Sequence, residues 1–195
     1  MIEEALLTYI DSPRVGINNF TLGQEYEKHR QLAAAIGFYI RTAEFGDDKL
    51  LSYEALLRVA ICFEAQGKRV SPLKGAILRA ISVMPDRPEG YFLMTRTYEQ
   101  NKNWHEAYAW SFIGEKIARG EKELKPLISD VLYQGVEGFI FERAVVGWWI
   151  GLYTESLDLF KYLEKNFKMA PIYQESINNN IINVTNILKD KGIIK

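Results

Sequence analysis

Apolar residues recur along this chain at helical spacing in one segment after another, and short breaks bearing proline, glycine or charge separate the segments. Ile2, Ala5, Leu6 and Tyr9 share one face before Asp11-Ser12-Pro13 stops the run, giving a short helix that covers the open end of the first hairpin. Asn18 or Asn19 then caps a helix to about Lys28, with Phe20, Gly23 and Tyr26 on one side. Its partner begins at Gln31 and turns Ala35, Ile36, Tyr39 and Ala43 back onto it. Lys49 to Gln66 reads as a long helix with Leu56, Val59, Ala60 and Phe63 inward and Gly67 as its stop. Ser71-Pro72 has the form of an N-cap followed by a first-turn proline, and Ala76, Ile77, Ala80 and Ile81 carry that helix to a break at Met84-Pro85.

Asp86 to Glu89 starts the next helix, with Tyr91, Met94, Thr95 and Tyr98 inward; Asn101-Lys102-Asn103 turns it into a partner from Trp104 to about Ile117. Between 118 and 135 the period fails in a charged stretch around Lys125-Pro126, which predicts a loop with a short helix or an extended loop packed along the helices. Periodicity returns from Val136 to Ile150, Gly151 allows a tight turn, and Leu157, Phe160 and Leu163 face inward in the partner helix. Pro171 opens a last helix to about Lys189, whose single stripe of Ile177, Ile181, Val184 and Leu188 suits a C-terminal cap. The pattern therefore predicts one all-α domain over 1–195, with hairpins at about 18–45, 50–84, 88–117 and 136–167, an irregular insertion at 118–135 and a capping helix at about 171–189.

Three of these hairpins share a phase. Gly23 to Ala60 and Ala43 to Ala80 are each 37 positions apart, Ala60 to Thr95 is 35, and Tyr26-Glu27, Phe63-Glu64 and Tyr98-Glu99 come after the small residues at a fixed interval. A small side chain lets two helices approach, and an aromatic one turn further on fills the groove beside it. The spacing resembles the tetratricopeptide repeat in Phe20, Leu22, Gly23 and Tyr26, in Tyr91, Met94, Thr95 and Tyr98, in Ala35, Tyr39 and Ala43, and in the closing Ala80 and Pro85. The family's glycine survives only at Gly23, and the units are longer than its usual period. The resemblance implies a helical-hairpin solenoid wound as a right-handed superhelix, whose first helices line a concave face that binds protein or peptide.

Leu56 to Glu64, Arg79 to Glu99 with its Met84-Pro85-Asp86-Arg87-Pro88-Glu89-Gly90-Tyr91, and Trp104 to Gly114 also resemble the repeat region that accompanies some glycosyltransferase-like proteins, including phage and viral ones. In such proteins a separate nucleotide-sugar-binding domain carries the chemistry. The chain has no clustered Asp-x-Asp motif, so this likeness implies an accessory module of a glycan-modifying system as the alternative to a general scaffold.

Composition narrows the field of functions. With 48% hydrophobic and 25% charged residues the chain has the makeup of a folded soluble protein, and its net charge of −1 is evenly spread, 14 basic and 15 acidic residues through Ile117 and ten of each beyond. No part is basic enough to grip nucleic acid by charge alone. Cys62 has no partner for a disulfide and sits in an apolar run, which reads as a buried thiol. Glu3 and Glu4 stand where a secretion signal would be basic, and no apolar run approaches membrane length, which points to the cytoplasm and leaves the acceptor patterns at Asn19 and Asn183 as chance matches.

Candidate chemistry is sparse. His29 and His105 have no orienting partner or nucleophile beside them in the sequence, the carboxylates at Asp47-Asp48 and Asp86 to Glu89 lack calcium-loop spacing, and no glycine-rich phosphate loop is present. These patterns predict no catalytic residue, metal or cofactor. Arg58 and Arg96 lie near the middle of successive first helices, 38 positions apart. With Arg79, Arg87, Tyr91 and Asn101 they are the candidates for holding an acidic partner segment, the alternative being ion pairs with Glu54, Glu89 or Glu99. Trp148 and Trp149 diverge by about 100° on one helix; the expectation is that both are buried in the core, the alternative that one indole covers the insertion or meets a second copy of the chain. The expected function is that of a non-enzymatic scaffold for a protein or peptide partner.

Overall fold

The computed structural model describes residues 1–46, 48–67, 69–120 and 123–194. Among them ten helices are the only regular elements: α1 (Ile2–Asp11), α2 (Gly16–Lys28), α3 (Leu32–Phe45), α4 (Lys49–Gln66), α5 (Val70–Val83), α6 (Pro88–Gln100), α7 (Trp104–Ala118), α8 (Val136–Trp149), α9 (Tyr153–Asn166) and α10 (Pro171–Asp190). Contacts within the chain gather into two compact units. The first comprises Met1–Gly90 and a segment ending at Leu132; the second comprises Tyr91–Gly120 and everything from Tyr133 onward.

In the first unit α2 and α3 close on each other around Phe20, Leu22 and Tyr39, all fully buried. Gly23 makes the approach possible, since a Cβ there would lie 2.9 Å from the Tyr39 ring. Tyr26 stacks on Phe38 at 5.4 Å, and Tyr9 meets the same ring edge-on at 5.2 Å, which fixes α1 to the hairpin. Helix α4 is buried almost all round from Leu51 to Cys62, with α3 and α5 against it and α2 touching it. A helix without a solvent stripe must satisfy every polar side chain inside the protein.

Several local signals work differently from their sequence reading. Helix α2 starts at Gly16, ahead of both asparagines, and Asn19 is buried with its amide donating to the carbonyls of Pro13 and Val15 at 2.9 Å. Helix α5 starts at Val70 with Arg69 at the N-cap, so Ser71 and Pro72 already lie within the first turn. Thr42, not Ala43, takes the buried position on α3, its hydroxyl donating to the Phe38 carbonyl at 3.0 Å. Asp48 caps α4 by accepting from the Leu50 N–H at 2.8 Å.

The second unit is packed around aromatic rings and an aliphatic cluster. Phe139 of α8 lies fully buried against Gly114 of α7 and meets Phe92 of α6 edge-on at 5.4 Å. Ile140, Ala144, Leu157, Phe160, Leu163, Ile177, Val184 and Leu188 form the core that joins α8, α9 and α10. Gly151, at φ +82°, makes the turn between α8 and α9.

From 123 to 135 the chain forms no helix. Leu127 and Ser129 are half-buried and Val131 buried, while Pro126, Ile128, Asp130 and Leu132 stay exposed; the backbone bends at Ile128 and Ser129, and Leu132 has φ +65°. Two glycines in helix interiors separate close packing from propensity. Gly114→Ala drives a methyl into the Phe139 ring and is expected to lower stability by about 1–3 kcal/mol, whereas Gly37→Ala meets nothing within 4 Å and is expected to raise it by about 0.5–1 kcal/mol. Urea unfolding of both variants measures the contrast.

Candidate functional site

The first unit carries a seam of charged side chains on its first helices. Glu54 and Arg58, one turn apart on α4, point to the same side. Glu54 is 1% exposed, and its carboxylate accepts the N–H groups of Ile128 and Ser129 at 2.8 and 2.6 Å and the Ser129 hydroxyl at 2.6 Å. Arg58 donates through Nη1 to the Asp130 carbonyl at 2.8 Å, while Nε and Nη2 fork onto Glu27 of α2. Glu27 also accepts the Tyr39 hydroxyl at 2.7 Å. Burial works against the Arg58 charge, and the hydrogen-bonded Glu27 carboxylate more than offsets it, holding the guanidinium above its ordinary range.

A second buried arginine repeats the arrangement at the start of α6. Arg87 donates to the Lys125 carbonyl at 2.9 Å and forks onto Glu89, and its guanidinium lies over the Tyr53 ring at 5.6 Å. The Tyr53 hydroxyl donates to Glu89 at 3.1 Å and accepts the Gly90 N–H at 2.9 Å. Burial first, then the nearby carboxylate, raises both Tyr39 and Tyr53 above the ordinary phenol range, so each hydroxyl keeps its proton and donates it. Arg58, Glu54 and Arg87 together hold the 125–130 backbone at both its carbonyls and its amides. Beside that hold lies an open depression of about 360 Å³ lined by Gln24, Glu27, Lys28, Arg58, Ser129 and Asp130.

Of the arginines singled out by sequence, Arg58 and Arg87 thus converge on one stretch of the chain's own backbone. Arg79 is exposed on α5, a second helix. In the second unit Arg96 is half-buried, Tyr91 is buried with its ring 5.9 Å from Trp110, and Asn101 is exposed with its amide donating to the Thr97 carbonyl at 2.6 Å. Trp149 is 58% exposed and stacks on Trp104 at 5.1 Å, and Trp148 packs edge-on to Tyr153. His29 and His105 are exposed. Cys62 is fully buried, and burial, with the Glu27 carboxylate adding to it, pushes its thiol up to about 12. Asp47 lies outside the described residues, and among the described residues no group of three or more His, Cys, Asp or Glu side chains is placed to hold a metal. Nor is any described helix long and apolar enough to cross a membrane.

Two members of the seam were not visible as such in the sequence. Glu27 stood out only as the residue after a recurring aromatic, and Glu54 only as a charge one turn from Arg58. Their partners lie 31 and 74 or more positions away, a separation no local pattern encodes.

No family model and no curated protein sequence matches the chain. Solved structures do. MamA aligns with a TM-score of 0.61 at 13% identity over 87% of each chain. The APC/C hetero-tetramer Cut9–Hcn1 aligns at 0.63 and 13% identity, over 96% of this chain but only 34% of the other. A kinesin light chain of nearly identical TPR-like repeats from Podosopora anserina aligns at 0.59 and 12% identity, over 89% of this chain and 85% of the other. The fold is accordingly an all-α, tetratricopeptide-like helical-hairpin solenoid. None of the three is named as a glycosyltransferase companion.

The buried charges lead to two expectations. Arg87→Met leaves Glu89 charged and buried, and is expected to cost on the order of 3–5 kcal/mol, part of which a second change, Glu89→Gln, restores; a double-mutant cycle by urea unfolding reads it. In the second unit, burial lifts Glu142 from 4.5 to about 7, with Glu99 adding and Arg96 opposing. Between those values the folded chain keeps a proton that the unfolded chain has released, so stability falls as pH rises through the window. Glu142→Gln is expected to remove that fall and to add up to about 3 kcal/mol at pH 8, measured by thermal unfolding across pH.

Proposed function

We propose that this chain is a non-enzymatic protein-binding scaffold that takes an extended peptide or partner segment on the face of its first helices. The observation that carries this reading is the seam itself. Side chains from α4 and the start of α6 grip a non-helical backbone through its own peptide groups, and that is how a protein holds a peptide without reading every side chain. The solenoid fold supports it, because neighbouring hairpins set their first helices side by side, as α2 and α4 are within the first unit. Planar guanidinium forks at Arg58 and Arg87 supply directional donors for carbonyls or carboxylates.

Within this reading Arg96, Arg79, Tyr91 and Asn101 are further contacts for the partner, and the exposed Trp149 with Trp148 is a second docking point, for another protein or another copy of the chain. The partner is protein; no nucleic acid, membrane or cofactor enters the reading, and the chain works in the cytoplasm.

Arg58 and Arg96 provide the test. Crosslinking and affinity capture with the full chain in its native setting are expected to recover a protein partner, and the double variant Arg58→Ala/Arg96→Ala is expected to retain at least about tenfold less of it, the equivalent of roughly 1.4 kcal/mol. Equal retention by the double variant, or capture of no protein at all, would sink the proposal.

A further inference from the structure

We infer that the outward face of α10 is a self-association surface, on which a second copy of the chain docks antiparallel about Ile182. This goes beyond the scaffold reading and does not rest on it.

Helix α10 is 20 residues long, and Ile177, Val184 and Leu188 on its inner side are buried in the core of the second unit. Its outer side lacks charge where a surface helix is usually richest in it. From Ser176 to Leu188, thirteen consecutive residues include no Asp, Glu, Lys or Arg, in a chain that is 25% charged. Five of the thirteen are asparagines, which favour a helix less than the lysine or glutamate of an ordinary solvated face. Charge depleted around an exposed aliphatic side chain is the composition of the middle of a protein interface. That side chain is Ile182, 58% exposed.

The chemistry of this face reads alike in both directions. At about 100° per residue, Glu175, Asn179, Ile182, Asn186 and Lys189 fall on one stripe, and all are exposed. Exposed isoleucines stand at its two ends, Ile172 in the first turn at 75% and Ile193 just past the last at 56%. Turning a second copy end for end about Ile182 sets Asn179 against its Asn186 and Glu175 beside its Lys189, and two-fold symmetry makes each contact twice. Asn178 and Asn180 already share hydrogen bonds with Gln174 and Ser176 on their own helix, whereas Asn179 and Asn186 make none among the described residues. A carboxamide both donates and accepts, so two asparagines satisfy each other. Parallel pairing would oppose Glu175 to Glu175 and Lys189 to Lys189, which selects the antiparallel arrangement. The remaining charge, Asp190, lies at the edge of the stripe. A seam about 30 Å long is at the low end of specific interfaces, so the dimer is reversible and micromolar.

Sedimentation velocity of the full chain over a concentration series tests this. A dimer that grows in with concentration is expected, and Ile182→Asp, which sets two carboxylates against each other at the two-fold axis, is expected to weaken it by about tenfold or more. Glu175→Lys and Lys189→Glu each put like charges opposite, and each is expected to weaken it by about threefold or more. An equimolar mixture of these two variants, or both exchanges in one chain, is expected to restore it. A chain that stays monomeric up to about 1 mM overturns the inference. So does a dimer that Ile182→Asp leaves unchanged, including one lost through Trp149→Ala instead, and so does a charge exchange that restores nothing. None of these outcomes touches the scaffold reading, which stands or falls on partner capture by Arg58 and Arg96.

Discussion

The constraint on which the first unit depends is the presence of charge inside α4. A helix packed on nearly every side has no water to solvate Glu54, and a carboxylate left bare in such a place would cost several kcal/mol. The chain meets that demand with backbone. Two consecutive amides and a hydroxyl from a segment more than seventy positions away complete the shell of Glu54. Arg58, one turn on, neutralises Glu27 and uses its remaining face for a carbonyl of the same segment. The non-helical stretch is thereby held through its backbone, although it has no ladder or hairpin of its own.

The helical architecture was legible because its causes are local. Apolar spacing at 3.6 residues, the small residues Gly23, Ala60 and Thr95, the turn at Gly151 and the stripe of Ile177, Val184 and Leu188 each act within a turn or two of themselves. Where the reading slipped, a local rule met a competing local use of the same residue. Asn19 can cap a helix, but its amide is used by the Pro13 and Val15 carbonyls, so α2 begins earlier. Ser71 and Pro72 make a plausible start, yet the helix extends back to Val70. The first residues of α6 are held at Tyr53 and Lys125 through Arg87, Glu89 and Gly90, and Phe92 further along meets Phe139.

The candidate site was legible only in half. Arg58 and Arg87 attract attention from sequence because a guanidinium in a helical repeat is a ready-made ligand for an anion. Their partners are hidden, because pairing Arg58 with Glu27 needs the packing of α4 on α2, and engaging Lys125 or Asp130 needs a segment whose sequence has no helical period at all. The interrupted stretch shows in sequence only a failed period, and the roles of the Ile128 and Ser129 amides have meaning only once an acceptor such as Glu54 is known to face them.

Likeness of fold at 12–13% identity reaches as far as the backbone path and stops there. The chemistry has to come from this chain's own side chains. Burial, with the Glu27 carboxylate adding to it, pushes the Cys62 thiol up to about 12. The phenols of Tyr39 and Tyr53 are raised beyond their ordinary range and spend their protons on carboxylates. Each polar group in the seam is committed to orienting another, in a chain of contacts from Tyr39 through Glu27 and Arg58 to a peptide carbonyl. The final donors of that chain of contacts end on the backbone carbonyls of Lys125 and Asp130, so the seam's charge is spent on fixing a stretch of polypeptide that has no hydrogen-bond ladder of its own.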